Sequence, residues 1–501
     1  MEQPNILLIV TDTQRCDTLK CMGNPHAISP NIDRLAAEGV LFENAYTSSP
    51  VCEPARCSLL TGVHTPVHGM IENGQDRYTH LKTLPDILKE QGYKNIMTGK
   101  QHFGQLPESF NIVYDSNDYE EYLKNVCIDK SQSRKFPVEI PEQHMYDRFY
   151  VNKTIEAIDQ IQKKGSGPFF AFCSLYLPHS PLTPPDKWFN MHKNIPLPEI
   201  KYKKGEEQSL PEHEKMLLGI LKENRIFENE NIDSFEYWKR EAIGLTFDEK
   251  YKHYIEDLRR QYYSFASYAD SLVGDLINYL DKNKLRENTL VIFTSDHGQQ
   301  YFDHGFNDKH NYYDESWRIP FIMSMPGKLP ADETCDFAIW NDIPTTILAA
   351  AGASCWSMQG YDLFTPLTNG KQSPRNHAVA TLYKSAAIAT KRWKFEYYFE
   401  EGKGRLFDRK NDPSEYTDLY HNSAYNELRS ELLQALLTWR CDLTDCGLLT
   451  MKNKVLLKKP KKKRKYVSFR AAEHTFSMKG IDSEERLNKR LQIIEEKYKN
   501  L

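Results

Sequence analysis

Short apolar runs that stop abruptly at polar clusters alternate with amphipathic stretches along this chain. "NILLIV" runs into "TDTQR", "YKNIM" into "TGKQHFG", "PFFAFCSLYL" into "PHSP" and "TLVIFT" into "SDHG", and "IPFIMSMPG" follows. Apolar runs of this length bounded by turn residues read as buried strands. Between them, "SPNIDRLAAEG", "LPDILKEQG" and "YYSFASYADSLVGDLINYLDKN" carry the helical period, the first with Ser29 or Asn31 as cap and Gly39 as stop. Strands that alternate with helices predict an α/β fold built on a large, mainly parallel, doubly wound sheet flanked by helices. Such sheets bind ligands beyond the carboxyl ends of their strands. The polar clusters fall at those ends, so they are expected to converge.

The pattern changes twice. From about Trp188 to Lys250 the chain is polar, charged and helix-leaning, which reads as an insertion over one rim. From about His377, "HAVATLY", "SAAIATKRWKFEYYF" and "GRLFDRKNDP" predict antiparallel strands and a smaller α+β domain. The expected division is a catalytic domain over 1–375, a small domain over 376–446, and a basic tail with a terminal helix over 447–501. No internal repeat is visible.

Composition changes little in this picture. The 501 residues are 40% hydrophobic and 27% charged, with a net charge of -4, values ordinary for a globular protein and uninformative about partners. "NILLIV" lacks a basic region before it and is too short for a signal core or a membrane span. The ten cysteines form no CxxC pair and no zinc spacing. Reduced thiols, a cytoplasmic location and no membrane partner are the resulting expectations.

Candidate chemistry sits at the strand ends. Asp12 follows the first strand, and Asp296 and His297 follow "TLVIFT". Two carboxylates and an imidazole on neighbouring ends suit a divalent cation, and oxygen-rich ligation favours calcium, magnesium or manganese over zinc. Lys100, His102, His179, Lys309 and His310 follow other predicted strands. A cation with lysines and histidines makes a site for a tetrahedral anion and stabilises charge that develops in phosphoryl or sulfuryl transfer. Cys52 lies four residues before Arg56, and a helix starting near Pro54 would lower its thiol pKa. A soft thiolate is nevertheless a poor partner for a hard, oxygen-liganded metal. Spacing alone leaves open whether it is a nucleophile, a ligand, a core side chain or a precursor of something else.

"CEPAR" followed by "CSLLTG" resembles the sulfatase signature C-x-P-x-R with a trailing L-x-T-G. "PNILLIVTDTQRCD", "SPNIDRLAAEGVLFENAY", "GYKNIMTGKQHFG", "LPHSPLTPP", "NTLVIFTSDHG" and "KHNYYDESWRIPFI" resemble further segments of that family, in family order, and "GRLFDRKNDPSEYTDLY" resembles its small domain. The resemblance implies a formylglycine-dependent type I sulfatase with an alkaline phosphatase-like fold. It implies that a formylglycine-generating maturation enzyme oxidises Cys52, and that the hydrated aldehyde is the nucleophile. Asp12, Asp296, His297 and the modified Cys52 would hold the metal. Arg56 would orient the nucleophile, Lys100 and His102 would hold it, with His102 as base, and His179, Lys309 and His310 would face the sulfate ester. One of His179 and Lys309 would protonate the leaving oxygen.

Departures from the pattern matter. Thr13 stands where many sulfatases have a second aspartate, and His297 where many have asparagine. The Asp–His variant also occurs in phosphonate monoester hydrolases, so a phosphonate or phosphate ester hydrolase is the competing reading. His64, His68, Glu72, Asn73, Asp76 and Arg77 follow the signature and are candidates for the pocket entrance. A carbohydrate sulfate is the expected substrate, with an aryl sulfate as the alternative. The basic run Lys458–Lys465 suits a polyanion, or an arm that packs on a second copy in a homo-oligomer.

Overall fold

The computed structural model describes residues 3–78, 81–131, 138–165, 167–212, 214–215, 252–456 and 482–501. The twelve strands of the described chain form two sheets. The large one contains β1 (Asn5–Thr11), β2 (Val40–Tyr46), β3 (Lys94–Gly99), β4 (Ile112–Tyr114), β5 (Phe169–Ser174), β6 (Thr289–Ser295), β7 (Phe321–Ser324) and β8 (Glu333–Ile339). Their order is β4-β3-β5-β1-β6-β7-β2-β8. Every pairing is parallel except the two made by β7, which runs against β6 and β2.

The unbroken apolar character of β1 follows from burial on both faces. Leu7 and Ile9 pack with the helices Pro30–Ala37, Tyr146–Lys164 and Lys252–Lys282, whereas Ile6, Leu8 and Val10 pack with the helices Cys52–Thr61, Leu84–Glu90 and Asp342–Ala350. Alternate side chains leave opposite faces of a strand, so one sequence run feeds two cores.

The second sheet is antiparallel, with β9 (Ala378–Leu382), β10 (Ser385–Ala389), β11 (Trp393–Tyr398) and β12 (Lys403–Asp408) in the order β12-β11-β10-β9. The expected boundary at 446 does not interrupt the chain, because one helix runs from Asn426 to Leu456. Nor is the terminal helix, Asp482–Lys497, a free tail. Its Leu487, Leu491 and Ile494 share a core with Leu432, Leu436 and Trp439 of the preceding helix and with Ile388, Phe395 and Leu406 of the small sheet. An amphipathic helix buries its apolar stripe wherever a partner face is available. The expected boundary at 375 also falls inside packed structure. Arg375 is fully buried and donates to Asp342 at 2.7 Å and to Glu484 at 2.8 Å. Most of the predicted insertion, residue 213 and 216–251, and the basic run Lys458–Lys465 lie outside the described residues. Among the described residues no helix is long and apolar enough to cross a membrane.

Candidate active site

The strands β3, β5, β1 and β6 are consecutive neighbours, so their carboxyl ends lie side by side. Lys100 N–H donates to Ser174 O at 2.9 Å, Asp12 N–H to Leu177 O at 2.9 Å and Asp296 N–H to Thr11 O at 3.2 Å. These bonds carry the ladder one residue past the strands and set Lys100, Asp12 and Asp296 in a row. Gly99 is needed here. Its φ is 86°, and a Cβ would lie 1.9 Å from Ser174 O.

Cys52 opens the helix Cys52–Thr61 and comes to the same place. One ligating atom each from Asp12, Cys52, Asp296 and His297 lies within 4.8 Å of the others, and all four residues are buried. His297 donates Nδ1–H to Gly298 O at 2.8 Å, which leaves Nε2 at 3.1 Å from Cys52 Sγ. Lys309 Nζ lies 3.3 Å from the same sulfur, and His102 is exposed and lines the same cavity. Burial alone would raise the Cys52 thiol, but Lys100, then Lys309 and His297, pull it well below the ordinary thiol range. Burial likewise works against ionised Asp12, and Lys100, in contact with its Oδ2, holds that carboxyl down. For Asp296, burial and the neighbouring Asp12 carboxylate win and the pKa is raised.

Arg56 ties these groups together. Its guanidinium is fully buried and donates to Asp296 Oδ2 at 2.8 Å, Asp12 Oδ2 at 3.2 Å, Ser174 Oγ at 2.6 Å and Lys100 O at 3.2 Å. Arg56 thus bridges both carboxylates of the cluster, a role that spacing did not suggest. The residues fit a hard divalent cation. Two carboxylates converge, and Asp12 Oδ1 is buried without a hydrogen-bond partner. Thr13, at φ 60°, gives its N–H to Asp296 Oδ1 at 3.2 Å and has a buried, unpartnered hydroxyl.

A cavity of about 450 Å³ lies over Cys52 and is lined in part by Lys100, His102, His179, Lys309 and His310. His179 donates Nδ1–H to Ser180 O at 2.7 Å, and its Nε2 is 3.9 Å from Asp12 Oδ1. All ten site residues expected from the sequence thus meet in one place. Of the residues proposed for the entrance, only Asn73 lines the cavity. His64 is buried with its Nε2 3.1 Å from Glu484, His68 is buried with its Nε2 2.9 Å from Ser58 Oγ, and buried Arg77 donates to Gln105 O at 3.0 Å. They follow the signature in sequence, but the helix Cys52–Thr61 carries the chain away from the site before they occur.

Sequence reasoning missed Ser174, the Arg56 partner at the end of β5, and Asp308 and Asp147, which line the cavity. It also missed an aromatic wall of Tyr119, Tyr146, Tyr176, Phe265 and Tyr268. Asp147 and Tyr146 open a helix as ordinary amphipathic residues, and Tyr119 reads as core, so no local signal marks them.

The family model described as Sulfatase matches residues 4–353, and the one described as N-sulphoglucosamine sulphohydrolase, C-terminal, matches residues 302–442. The chain is 24% identical to an N-acetylglucosamine-6-O-sulfatase of Bacteroides thetaiotaomicron, over 87% of this chain and 86% of that protein. It is 28% identical to an arylsulfatase of Clostridium perfringens, over 87% and 94%. The phosphonate monoester hydrolase of Agrobacterium radiobacter shares the fold, with a TM-score of 0.76 and 20% identity over 88% of this chain and 96% of that one. So does a protein solved in complex with its substrate D-glucosamine-2-N,6-O-disulfate, with a TM-score of 0.69 and 22% identity over 92% and 100%. A match that spans β1 to β8 and includes every residue of the cluster around Cys52 shows that the chain belongs to the sulfatase family, hydrolases of sulfuric esters.

Proposed function

We propose that this enzyme hydrolyses the sulfate monoester of a carbohydrate or an aryl alcohol, with residue 52 as nucleophile after its oxidation to formylglycine by a maturation enzyme. One observation carries the reading. Cys52 Sγ stands at the floor of the cavity, 3.1 Å from His297 Nε2 and 3.3 Å from Lys309 Nζ, inside a cluster of two buried carboxylates. A sulfur at that point sits where a hydrated aldehyde would present one oxygen to a metal and another to an incoming ester. Calcium, or magnesium or manganese, held by Asp12, Asp296, His297 and residue 52, would supply positive charge against the sulfate oxygens.

The other side chains divide the remaining work. Lys309 and Lys100 place two ammonium groups beside the cavity floor, where they bind sulfate oxygens and counter the charge that grows during transfer. His102, which lines the cavity with residue 52, takes the proton of the nucleophile. His179, whose Nδ1–H is committed to Ser180, delivers a proton to the leaving oxygen from Nε2. His310 lines the same cavity on the substrate side. A phosphonate or phosphate ester hydrolase would use the same cluster, a reading supported by the fold shared with the Agrobacterium enzyme.

The test is the mass of the peptide carrying residue 52, together with kcat/KM for matched aryl sulfate, phosphonate and phosphate esters. Aldehyde at residue 52 and a dominant sulfate rate are expected, and Cys52→Ser should lose multiple turnover. Full activity with every molecule a thiol would sink the nucleophile assignment, and a dominant phosphonate rate would sink the choice of ester.

A further inference from the structure

Two kinds of surface line the cavity above residue 52. Tyr119, Tyr146 and Tyr176 pack edge to face or tilted, with centroids 4.6 and 4.4 Å apart, and line one side of the cavity with aromatic surface. Asp308 lines the cavity as well, and its presence needs an explanation. A carboxylate outside the Asp12–Asp296 cluster repels a bound sulfate.

Asp308 is not used up in holding the fold. Its Oδ1 accepts the N–H of Lys309 at 2.8 Å. Among the described residues Oδ2 receives no hydrogen bond, and His310 Nδ1, at 3.8 Å, is beyond bonding range. Burial opposes its ionisation, but Lys309 and then His310 keep the carboxyl below the usual range, so it is an acceptor only. Asp308 is the chain neighbour of Lys309, whose Nζ reaches residue 52, and it lies within electrostatic reach of His179. The acceptor therefore shares one cavity with residue 52 and with the two groups assigned to the sulfate and the leaving oxygen, Lys309 and His179.

Resting on the sulfatase reading, we propose that Asp308 is a specificity-determining residue that accepts a hydrogen bond from a hydroxyl or amino group adjacent to the sulfated oxygen of the leaving group. The tyrosine wall takes the apolar face of the ring that carries both. The substrate class is a ring with a vicinal donor, such as a sulfated sugar whose neighbouring hydroxyl or amine is free. A second sulfate or a carboxylate at that neighbouring position is repelled. A site built to bond a substrate hydroxyl discriminates strongly against the analogue that lacks it, because the half-buried carboxylate, covered by the bound ring, is then left unpaired.

Catechol monosulfate and phenyl sulfate differ by one hydroxyl next to the sulfated oxygen. Their kcat/KM ratio is measured with the matured, metal-loaded enzyme as wild type, Asp308→Asn and Asp308→Ala. The ratio is expected to fall by roughly tenfold or more in Asp308→Ala, with part of it kept in the near-isosteric Asp308→Asn, which retains a carbonyl acceptor. A ratio equal in all three proteins overturns the proposal. That includes the case in which both substrates slow together, because Asp308 would then only position Lys309. Wild-type enzyme that cleaves the matched phosphonate but neither sulfate would overturn the sulfatase reading itself, and this proposal with it.

Discussion

At the scale of single residues, the site holds buried charge whose partners decide its state. Asp147 lines the cavity and accepts the Tyr176 N–H at 2.6 Å. Burial pushes its carboxyl up from 3.8 to about 7, more than the backbone donors of Tyr176 and Leu177 lower it. The folded state therefore binds a proton that the unfolded state has released between those two values. Stability falls as pH rises through that window, by roughly 1.4 kcal/mol per unit at most, and levels off above it. Urea unfolding from pH 4.5 to 7.5 should show this slope in the wild type and a flatter one in Asp147→Asn. Identical slopes would assign the buried proton elsewhere. Arg56 shows the opposite case, a charge kept ionised by its partners. Pro54 and Arg56 were legible as a signature, but the attachment of Arg56 to both carboxylates was not.

At the scale of elements, the terminal helix Asp482–Lys497 matters more than its position in the chain suggests. Glu484, on its first turn, is fully buried and accepts from Arg375 at 2.8 Å and from Trp439 Nε1 at 2.7 Å, with His64 Nε2 at 3.1 Å. Burial opposes its charge, but Arg375 above all holds the carboxyl well below the ordinary value of 4.5. Its stabilisation is thus present above that value and is lost as pH falls toward the lower one. Glu484→Gln leaves Arg375 paired with Asp342 but facing a weaker neutral acceptor, and the loss should be the ~1.5–3 kcal/mol typical of a hydrogen bond to a charged group. A urea midpoint within error of the wild type would show that the helix docks through its apolar stripe alone. The amphipathic pattern predicted this helix. It did not say that the partner face belongs to the same chain, because nothing local in "SEERLNKRLQIIEEK" encodes where the complementary surface is.

At the scale of the whole molecule, the proposed metal ligands bridge segments far apart in sequence, so a bound cation should favour the folded state. A ligand held only by the native state adds about 2.7 kcal/mol at a hundredfold excess over its Kd. Calcium, magnesium or manganese should raise the Tm of the cation-stripped enzyme. Arg56→Lys, which loses the fork that orients both carboxylates, should need about 10–100 times more cation for the same rise. A midpoint indifferent to all three ions would contradict the assignment. The sequence alone determined the α/β alternation, the strand ends and the candidate cluster. These are local properties: apolar run length, turn residues, and chemistry-bearing side chains just past a strand. It also carried the family's motifs from Pro4 to Ile322. Only the tertiary structure decided that β7 runs antiparallel, that His64 and His68 are buried away from the cavity, and that the terminal helix closes the small domain's core. It alone brought Ser174, Asp147, Asp308 and the tyrosine wall beside Cys52. Each of these rests on which distant surfaces meet, and sheet order and helix packing settle that through burial summed over the whole chain.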